Sequence, residues 1–415
     1  MLIRPLFDLK GDIDVVPPGR TLSCVSCGLY KGVSSPRMAP YGENRRDVMI
    51  IGEGPGEVED ARGKPWQGRT GRLLQRALYD IGFDLAVDCV SLNAVNCRPT
   101  DEKGWNREPT GFEIACCRTR IVNPAIARYG PKIILLLGGS ALSSVLGPLC
   151  SYALGASVGK WRGFTIPIPE LGAWVCPTYH PSFVAREADK EHIEVDTVWR
   201  QDIARALGML DVPVPEPEDL RRNITVLRTE DEILQALSLA HDAELLSYDY
   251  ETTGTRAVLH EVICVSFCCS ADRAYAFMMP QSGSIPAAWA QLMSDNRVGK
   301  IAHYMKFENA WTIRHFGVAE INWAWDSLLG AHVVDNRVGI CGLDRQAFLY
   351  FGIRSWDDLI APYMAPVDRT DIASPNRIRE FIVRYGEDEC LIYCGIDSLI
   401  AFRLAVRQMG EILIG

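Results

Sequence analysis

The 415-residue sequence has no long apolar run and no residue type in large excess. No stretch approaches the roughly 18 consecutive apolar residues of a membrane span, which excludes a predicted transmembrane helix. The opening MLIRPLFDLKGDID acquires acids too early for the apolar core of a secretory signal. Internal repeats and low-complexity tracts are also missing. The sequence therefore predicts a globular protein of two or three domains, located in the cytoplasm.

Excess positive charge is missing as well, since the net charge is −9 at pH 7. The balance is uneven: residues 1–210 contain 25 Lys+Arg and 23 Asp+Glu, whereas later residues contain 18 and 29. DNA requires a local basic patch rather than a basic total, so the first half is able to bind DNA. The acidic second half suits a site that gathers cations.

A segment rich in proline and charge, DVPVPEPEDLRRN, divides the chain. We place a first domain at 1–210, a linker at 211–224 and a second domain at 225–415. Upstream, helical stretches alternate with apolar runs, which predicts a parallel sheet covered by helices; the runs are DVMIIG, CVSLNAV, KIILLLG and AWVCPTY. Downstream, three consecutive strands and then mostly helices are predicted, the strands being AELLSYDY, EVICVSFCCS and RAYAFMMP. Both domains are therefore predicted to be α/β.

Fourteen cysteines in a large chain without a secretory signal predict free thiols or a metal cluster rather than a disulfide framework. Cys24 and Cys27 form a C-x2-C pair, and Cys97 and Cys117 come from distant segments. Cys116 competes with its neighbour as the fourth ligand. The spacing does not distinguish zinc from an iron–sulfur cluster.

Three glycines, Gly52, Gly54 and Gly56, follow a predicted strand and precede a predicted helix. Backbone amides in such a loop can approach a ligand closely. By itself this is a weak dinucleotide-binding pattern, and the acidic EVED that follows disfavours a phosphate cradle.

The first half resembles the family 4 uracil-DNA glycosylases over about residues 20–210. The resemblance rests on C-x2-C, GEGPGEVED, GKPWQG, NAVNCRP, EIACC and TYHPSFVAR, in that order. It implies a glycosylase fold, excision of uracil from DNA, and a [4Fe-4S] cluster. The implied cluster ligands are Cys24, Cys27, Cys97 and Cys117, the last favoured over Cys116 by its spacing from Glu113.

The resemblance also assigns roles at the base pocket. Trp66 stands where the family has Phe and would stack on the flipped base, while the amide of Asn93 would read the uracil edge. His180 would hydrogen-bond the departing uracil anion, and Glu53 would orient the attacking water or favour the cationic sugar. Three further residues are assigned to DNA or base binding: Gly54, Pro181 and Ser182. The turn formed by the last two would press into the groove.

Carboxylates dominate the second half's candidate site. Asp249 and Glu251 lie one residue apart on a predicted strand, so both point to one face, and a divalent cation would relieve their repulsion. Tyr393 and Asp397 are spaced i, i+4 on a predicted helix and share a face. A phosphodiester hydrolase uses such groups around two metal ions about 4 Å apart.

This half resembles the DEDD-type 3′-5′ proofreading exonuclease domain of family A DNA polymerases over about 225–412. The resemblance implies an RNase H-like fold and Mg²⁺ or Mn²⁺ as cofactor. In the second motif, AHYMKFE supplies Tyr304 for the family's Asn and Glu308 for its Asp. Glu308 would still reach the cations, from a shifted position. Asp326 and Asp335 are predicted to be structural.

Together the halves predict a bifunctional DNA-processing enzyme that removes uracil and degrades 3′ ends. The sequence stops soon after the third motif without a polymerase domain, and the expected partner is a DNA polymerase subunit or domain. Family A polymerases of some bacterial viruses are similar in carrying a glycosylase-like domain ahead of the exonuclease, which favours a phage replication or repair apparatus. This resemblance implies the cytoplasm of a bacterium or of a phage-infected host cell. Two alternatives remain: a catalytically weakened module that positions DNA for a polymerase, and a zinc-bearing structural adaptor.

Overall fold

The computed structural model describes residues 21–154, 156–371 and 373–414. The opening residues, on which the expectation about a secretory signal depends, lie outside this part. Within it, no helix combines the length and apolar character needed to cross a membrane. The chain forms two compact units: the first ends at Pro217 and also includes Phe348–Arg354, and the second begins at Glu218.

The first unit is built on a five-stranded sheet in the order β2-β1-β3-β5-β4. Its strands are β1 (Val48–Gly52), β2 (Cys89–Asn93), β3 (Ile133–Leu137), β4 (Ile166–Ile168) and β5 (Ala173–Thr178). The first four in this order are parallel, and only the edge strand β4 is antiparallel. The parallel strands are buried throughout, as expected for a sheet covered on both faces.

Eight helices accompany this sheet in the described residues. They are α1 (Cys24–Cys27), α2 (Glu57–Arg62), α3 (Arg69–Tyr79), α4 (Gly111–Cys117), α5 (Asn123–Tyr129), α6 (Gly139–Val145), α7 (Pro181–Ala188) and α8 (Ile193–Leu207). A π-helical turn, Arg118–Val122, joins α4 to α5, and 3₁₀ turns occur at Ser151–Ala153, Val158–Lys160 and Pro169–Leu171. Helix α4 starts at a capping box in which Thr110 and Glu113 satisfy each other's backbone amides.

The second unit contains a six-stranded sheet in the order β11-β10-β7-β8-β9-β6. Its strands are β6 (Ile224–Val226), β7 (Leu245–Thr252), β8 (Val262–Ser270), β9 (Arg273–Met278), β10 (Gly299–Ala302) and β11 (Trp323–Asp326). Strands β7, β8 and β9 form an antiparallel meander, and β10 and β11 continue parallel to β7. Leaving aside the short edge strand β6, this is the strand order of an RNase H-like fold, as the sequence predicted.

Helices α9 to α16 follow in the second half of the chain and belong to the second unit, except for the end of α13, which is grouped with the first. They are α9 (Glu230–Ala240), α10 (Ser284–Met293), α11 (Met305–Phe316), α12 (Ser327–Val334), α13 (Leu343–Phe351), α14 (Ala361–Met364), α15 (Ile378–Tyr385) and α16 (Glu387–Ile414). The 28-residue α16 packs along β7, β8 and β9. Its buried face includes small side chains such as Cys390 and Cys394, which allow a close approach to the sheet.

The seven predicted strands are present, and the mixed α/β class is confirmed. The sequence did not predict β4, β6, β10 or β11, because strands of three or four residues are too short to show an alternating pattern. Residues 220–226 form a 3₁₀ turn and β6, so the end of the predicted linker is part of the second unit. Phe348–Arg354, predicted to belong to the second domain, is grouped with the first unit.

Candidate active sites

The first site lies at the carboxyl ends of the parallel strands. Gly52 ends β1, Asn93 ends β2 and His180 follows β5, so chain positions far apart meet at one sheet edge. Glu53 and His180 line a cavity of about 530 Å³ together with Ser182 and Arg186. Trp66 and Asn93 are not among the residues that line this cavity. The sequence-predicted residues therefore meet at one edge, but only some face the same space.

His180 is the N-cap residue of α7, and its ring nitrogen Nδ1 accepts a hydrogen bond from the Ser182 backbone N–H at 3.2 Å. The Ser182 hydroxyl lies 2.8 Å from the same nitrogen. Because Nδ1 accepts, a neutral ring carries its proton on Nε2. Burial, with a smaller contribution from Arg186, lowers the pKa of His180 to about 4. The side chain is therefore a neutral hydrogen-bond donor at pH 7.

Glu53 directly follows β1 and is partly buried. Its Oε2 accepts a hydrogen bond from the Ser140 hydroxyl at 3.2 Å, donated from the first turn of α6. The pKa of Glu53 is raised, and the largest cause is burial. The negative charge of Glu108 adds to this increase, whereas the Ser140 hydrogen bond and the positive charge of Arg186 oppose it. The Glu53 carboxyl group is therefore partly shielded from water, and one hydrogen-bond donor stabilises its ionised form.

Trp66 and Asn93 meet above Gly52, which has no side chain to separate them. A Cβ on Gly52 would lie 2.6 Å from Asn93 Oδ1 and 2.8 Å from the indole ring. Trp66 is only 5% exposed, adopts a φ of 59°, and has its ring 5.7 Å from that of His180. A positive φ is uncommon for a bulky residue and occurs mainly where the surrounding structure enforces it. The indole is thus a fixed wall beside His180.

The remaining predicted binding residues have simple structural settings. Gly54 allows a close approach of the loop, since a Cβ there would be 3.0 Å from Val95 Cγ2. Pro181 is the first residue of α7, a position where its missing N–H costs nothing. Ser182 supports the ring of His180 rather than standing free.

The four predicted cluster cysteines come together at one side of the first unit. Cys97 and Cys117 share an apolar cluster against which Cys27 packs, and Cys24 precedes Cys27 by one helical turn. The Arg37 backbone N–H donates to Cys97 Sγ at 3.1 Å, which is typical of sites where sulfur carries negative charge. Cys116, the competing ligand, is also buried nearby.

The second site lies on β7 and α16. Asp249, Glu251 and Cys394 each place one ligand atom so that all three atoms lie within 4.8 Å of one another. The carboxylates share a face, as their spacing predicted. Burial raises the pKa of Asp249 to about 7 and that of Glu251 well above its ordinary value, to which the charge of Asp249 also contributes. Such crowding of buried acids favours a divalent cation.

Glu308 on α11 and Asp397 on α16 complete the acidic group. Burial is the largest cause of the raised pKa of each, followed by the charge of Asp249. Tyr393 hydrogen-bonds Asp397 across one helical turn, and the Trp356 indole N–H donates to Asp397 Oδ1 at 2.6 Å. The structure therefore brings together the four predicted carboxylates and the tyrosine.

Tyr304 lies outside the acidic group. It is the N-cap of α11 with a φ of 74° and is 46% exposed, so it holds a left-handed turn that suits Asn better than Tyr. Asp326 accepts the backbone N–H groups of Tyr304 and Met305 and also caps α12. Asp335 forms an ion pair with Arg337. The two aspartates are structural here, as predicted.

Four contributing residues were not predicted. Ser140 and Arg186 act on Glu53, while Cys394 and Trp356 contact the acids of the second site. Only Cys394 had a detectable signal, because it adjoins Tyr393 in the third motif. The other three carried no spacing pattern.

The first unit matches a known protein family. Residues 39–202 match the uracil DNA glycosylase superfamily. A type-4 uracil-DNA glycosylase of Thermotoga maritima is 35% identical over 194 residues, covering 46% of this chain and 91% of that protein. One of Saccharolobus solfataricus is 34% identical, covering 38% and 71%.

Among solved structures, Escherichia coli RNase D, an exoribonuclease involved in structured RNA processing, aligns with a TM-score of 0.36 and 14% identity. The alignment covers 46% of each chain. The identity and coverage with the type-4 enzymes are decisive for the first unit. Through that unit, the chain belongs to the uracil-DNA glycosylase superfamily, with type-4 enzymes as its relatives.

Proposed function

We propose that this protein removes uracil from DNA with its first unit and degrades DNA from the 3′ end with its second. The observation that supports the first activity is that Glu53 and His180 line one cavity. The second is supported by the convergence of Asp249 and its neighbouring acids beside Tyr393.

Glycosidic hydrolysis requires water to add at the sugar carbon while the base leaves with the electron pair of the N–C bond. The Nε2–H of neutral His180 would donate to the negative charge that develops on the base. The Glu53 carboxylate would orient the water and stabilise the positive charge on the sugar. Asn93, 4% exposed and with its side-chain amide free of hydrogen-bond partners among the described residues, would read the base edge.

The cysteines suit a [4Fe-4S] cluster, since Cys97 and Cys117 are buried in one apolar cluster, the half-buried Cys27 packs against it, and Cys97 receives a backbone N–H bond. Cys24, Cys27, Cys97 and Cys117 would hold it, and the bound cluster would cross-link distant segments. A colourless preparation containing zinc would instead support a structural adaptor.

An oligonucleotide with one uracil and a blocked, phosphorothioate 3′ end tests the first activity. Incubation in EDTA followed by alkali is expected to cut the strand at the uracil. Glu53→Gln and His180→Gln should each reduce the cleavage rate by roughly a hundredfold or more, the usual scale for general acid–base and electrostatic groups. An uncut wild-type reaction would remove the glycosylase assignment.

Phosphodiester hydrolysis at the second site would use the acids as ligands and Tyr393 to orient the attacking water. Mg²⁺ or Mn²⁺, when bound, would stabilise charge on the attacking and leaving oxygens. The Trp356 indole N–H donates to one oxygen of Asp397, and Tyr393 also hydrogen-bonds this carboxylate. One carboxylate oxygen of Glu308 is buried and has no hydrogen-bond partner, as is expected of a metal ligand before the ion binds.

A uracil-free oligonucleotide with a labelled 5′ end tests the second activity. Stepwise 3′ shortening is expected only with Mg²⁺ or Mn²⁺, and Asp249→Ala should abolish it while uracil excision continues. Shortening that persists in Asp249→Ala would show that the nuclease lies elsewhere.

A second candidate function is a weakened module that positions DNA for a separate polymerase. Its support is the replacement of the family's Asp by Glu308 and of its Asn by the strained Tyr304. DNA binding without turnover in both assays would favour this alternative. Under either function, we propose a replication or repair setting of phage type, with a DNA polymerase as partner.

A further inference from the structure

The acidic group of the second unit includes a thiol. Cys394 follows Tyr393 on α16, and its Sγ lies 3.7 Å from Asp249 Oδ2 and 3.6 Å from the Asp249 carbonyl oxygen. The sulfur and one oxygen from each of Asp249 and Glu251 lie within 4.8 Å of one another. This spacing is compatible with one shared metal ion.

A second observation points to a ligand at the same place. Glu308 is 4% exposed, and its Oε2 has no hydrogen-bond partner. Among neighbouring charges, Asp249 has the largest effect on the Glu308 carboxylate, so Glu308 lies close to the group formed by Asp249, Glu251 and Cys394. A buried carboxylate oxygen without a donor is costly unless a cation or proton satisfies it.

Cation preference follows from the type of ligand atom. Carboxylate oxygens alone suit hard ions such as Mg²⁺ and Mn²⁺, whereas thiolates select softer ions such as Zn²⁺ and Cd²⁺. A site with two carboxylates and one thiol can serve both classes. The thiol gives its proton to solvent when the sulfur–metal bond forms, and no oxidation is involved.

We propose that Cys394 makes this group a binding site for thiophilic divalent cations of the Zn²⁺ and Cd²⁺ class, with Asp249 and Glu251 as the other ligands. The site is the one assigned above to Mg²⁺ or Mn²⁺, so the functional consequence depends on the proposed nuclease activity. Zn²⁺ occupies the ligands that the hydrolytic ions need, and it therefore inhibits 3′ shortening. Uracil excision, which uses no divalent ion, continues.

Two other thiols lie close to Cys394 and define the main competing explanation. Cys264 Sγ lies 3.8 Å from Cys390 Sγ, and Cys264 also interacts with Cys394. These three sulfurs could bind a soft ion without any carboxylate. A variant that removes a carboxylate but keeps all thiols separates the two arrangements.

The binding experiment uses the full chain with its iron–sulfur site loaded, titrated with Cd²⁺ in the absence of Mg²⁺. Sulfur-to-cadmium charge transfer is followed in the ultraviolet as the difference between wild type and Cys394→Ser. The Cd²⁺ affinity of Cys394→Ser is expected to fall by on the order of tenfold or more, since lost ligands weaken metal sites at least as much as lost supporting groups. Cys269→Ser, which removes a thiol outside the group, is the matched control and should bind as wild type does.

Glu251→Gln supplies the second readout, also if Cys394→Ser does not fold. It should weaken Cd²⁺ binding while all thiols remain. Equal Cd²⁺ titrations for wild type and Cys394→Ser would overturn the proposal. Undiminished binding by Glu251→Gln would overturn it too, because the thiols alone would then hold the ion.

Nuclease assays distinguish this inference from the proposed function. Cys394-dependent Cd²⁺ binding in a protein that never shortens DNA with Mg²⁺ would uphold the metal site and refute the nuclease. Mg²⁺-dependent shortening without Cys394-dependent Cd²⁺ binding would uphold the nuclease and refute the metal site. With both intact, Zn²⁺ should inhibit shortening in wild type at lower concentrations than in Cys394→Ser.

Discussion

The hydrogen bond from Ser140 to Glu53 gives a quantitative prediction for uracil excision. Burial raises the pKa of Glu53, and the Ser140 hydroxyl opposes that increase by donating to the charged form. A raised carboxyl pKa means that the ionised form is present above that pKa and is lost as the pH falls through it. The acid side of the pH–rate profile should therefore follow the ionisation of Glu53.

Ser140→Ala removes the donor and should move this acid limb to higher pH. A hydrogen bond to a charged group contributes about 1.5–3 kcal/mol, and the 3.2 Å length places this one near the lower value. Since one pKa unit corresponds to about 1.4 kcal/mol, the limb should shift upward by about one unit. On the limb itself, excision should be about tenfold slower than in wild type at the same pH.

Single-turnover excision measured across the pH range tests this prediction. Ser143→Ala is the matched control, because Ser143 lies on the same helix and donates instead to the Ala153 carbonyl at 3.3 Å. Its profile should keep the wild-type limb. If Ser140→Ala lowers the rate equally at every pH, or leaves the limb unmoved, Glu53 is not the group whose ionisation controls excision.

Three further outcomes are expected. The pKa of Asp249 is raised to about 7, so protons compete with the metal ion for this carboxylate below that pH. The half-saturating Mg²⁺ concentration for 3′ shortening should therefore rise by up to about tenfold for each pH unit below 7. Equal half-saturating concentrations at pH 6 and pH 8 would contradict this. Tyr250→Phe leaves the buried Trp289 indole N–H without its acceptor and should lower the free energy of unfolding of the second unit by about 1–3 kcal/mol in denaturant titrations. Cys117→Ser should remove the visible absorbance of the proposed iron–sulfur cluster, whereas Cys116→Ser should retain it; the opposite result would exchange their assignments.

Much of the fold could be predicted because the longer strands are recognisable as apolar runs in the sequence. The apolar run that forms β3 is buried throughout, as expected of a central parallel strand, and β7 is buried at all but two of its eight residues. Short edge strands such as β4 and β6 depend on partners supplied by the rest of the unit. Their sequences contain too few residues to express a period.

The sites were predictable only where residues form motifs. The D-x-E pair and the i, i+4 pair on α16 share faces by backbone geometry alone. Ser140 lies 87 residues from Glu53, and only the packing of α6 after β3 places its hydroxyl at the carboxylate. The left-handed turn at Tyr304 was also not predicted, because tyrosine has no preference for a positive φ.

The placement of His180 at the start of α7 ties local folding to chemistry. The ring nitrogen Nδ1 of His180 accepts the hydrogen bond from the Ser182 N–H, and this bond also determines that the ring proton lies on Nε2. One hydrogen bond therefore both caps α7 and sets the tautomer of the ring. An alanine at position 180 would remove both together, whereas asparagine would keep a cap of shorter reach. A substitution at this position therefore reports on the pocket alone only if the new side chain still caps α7, and fraying of α7 would disturb the hydrogen bond that orients the His180 ring.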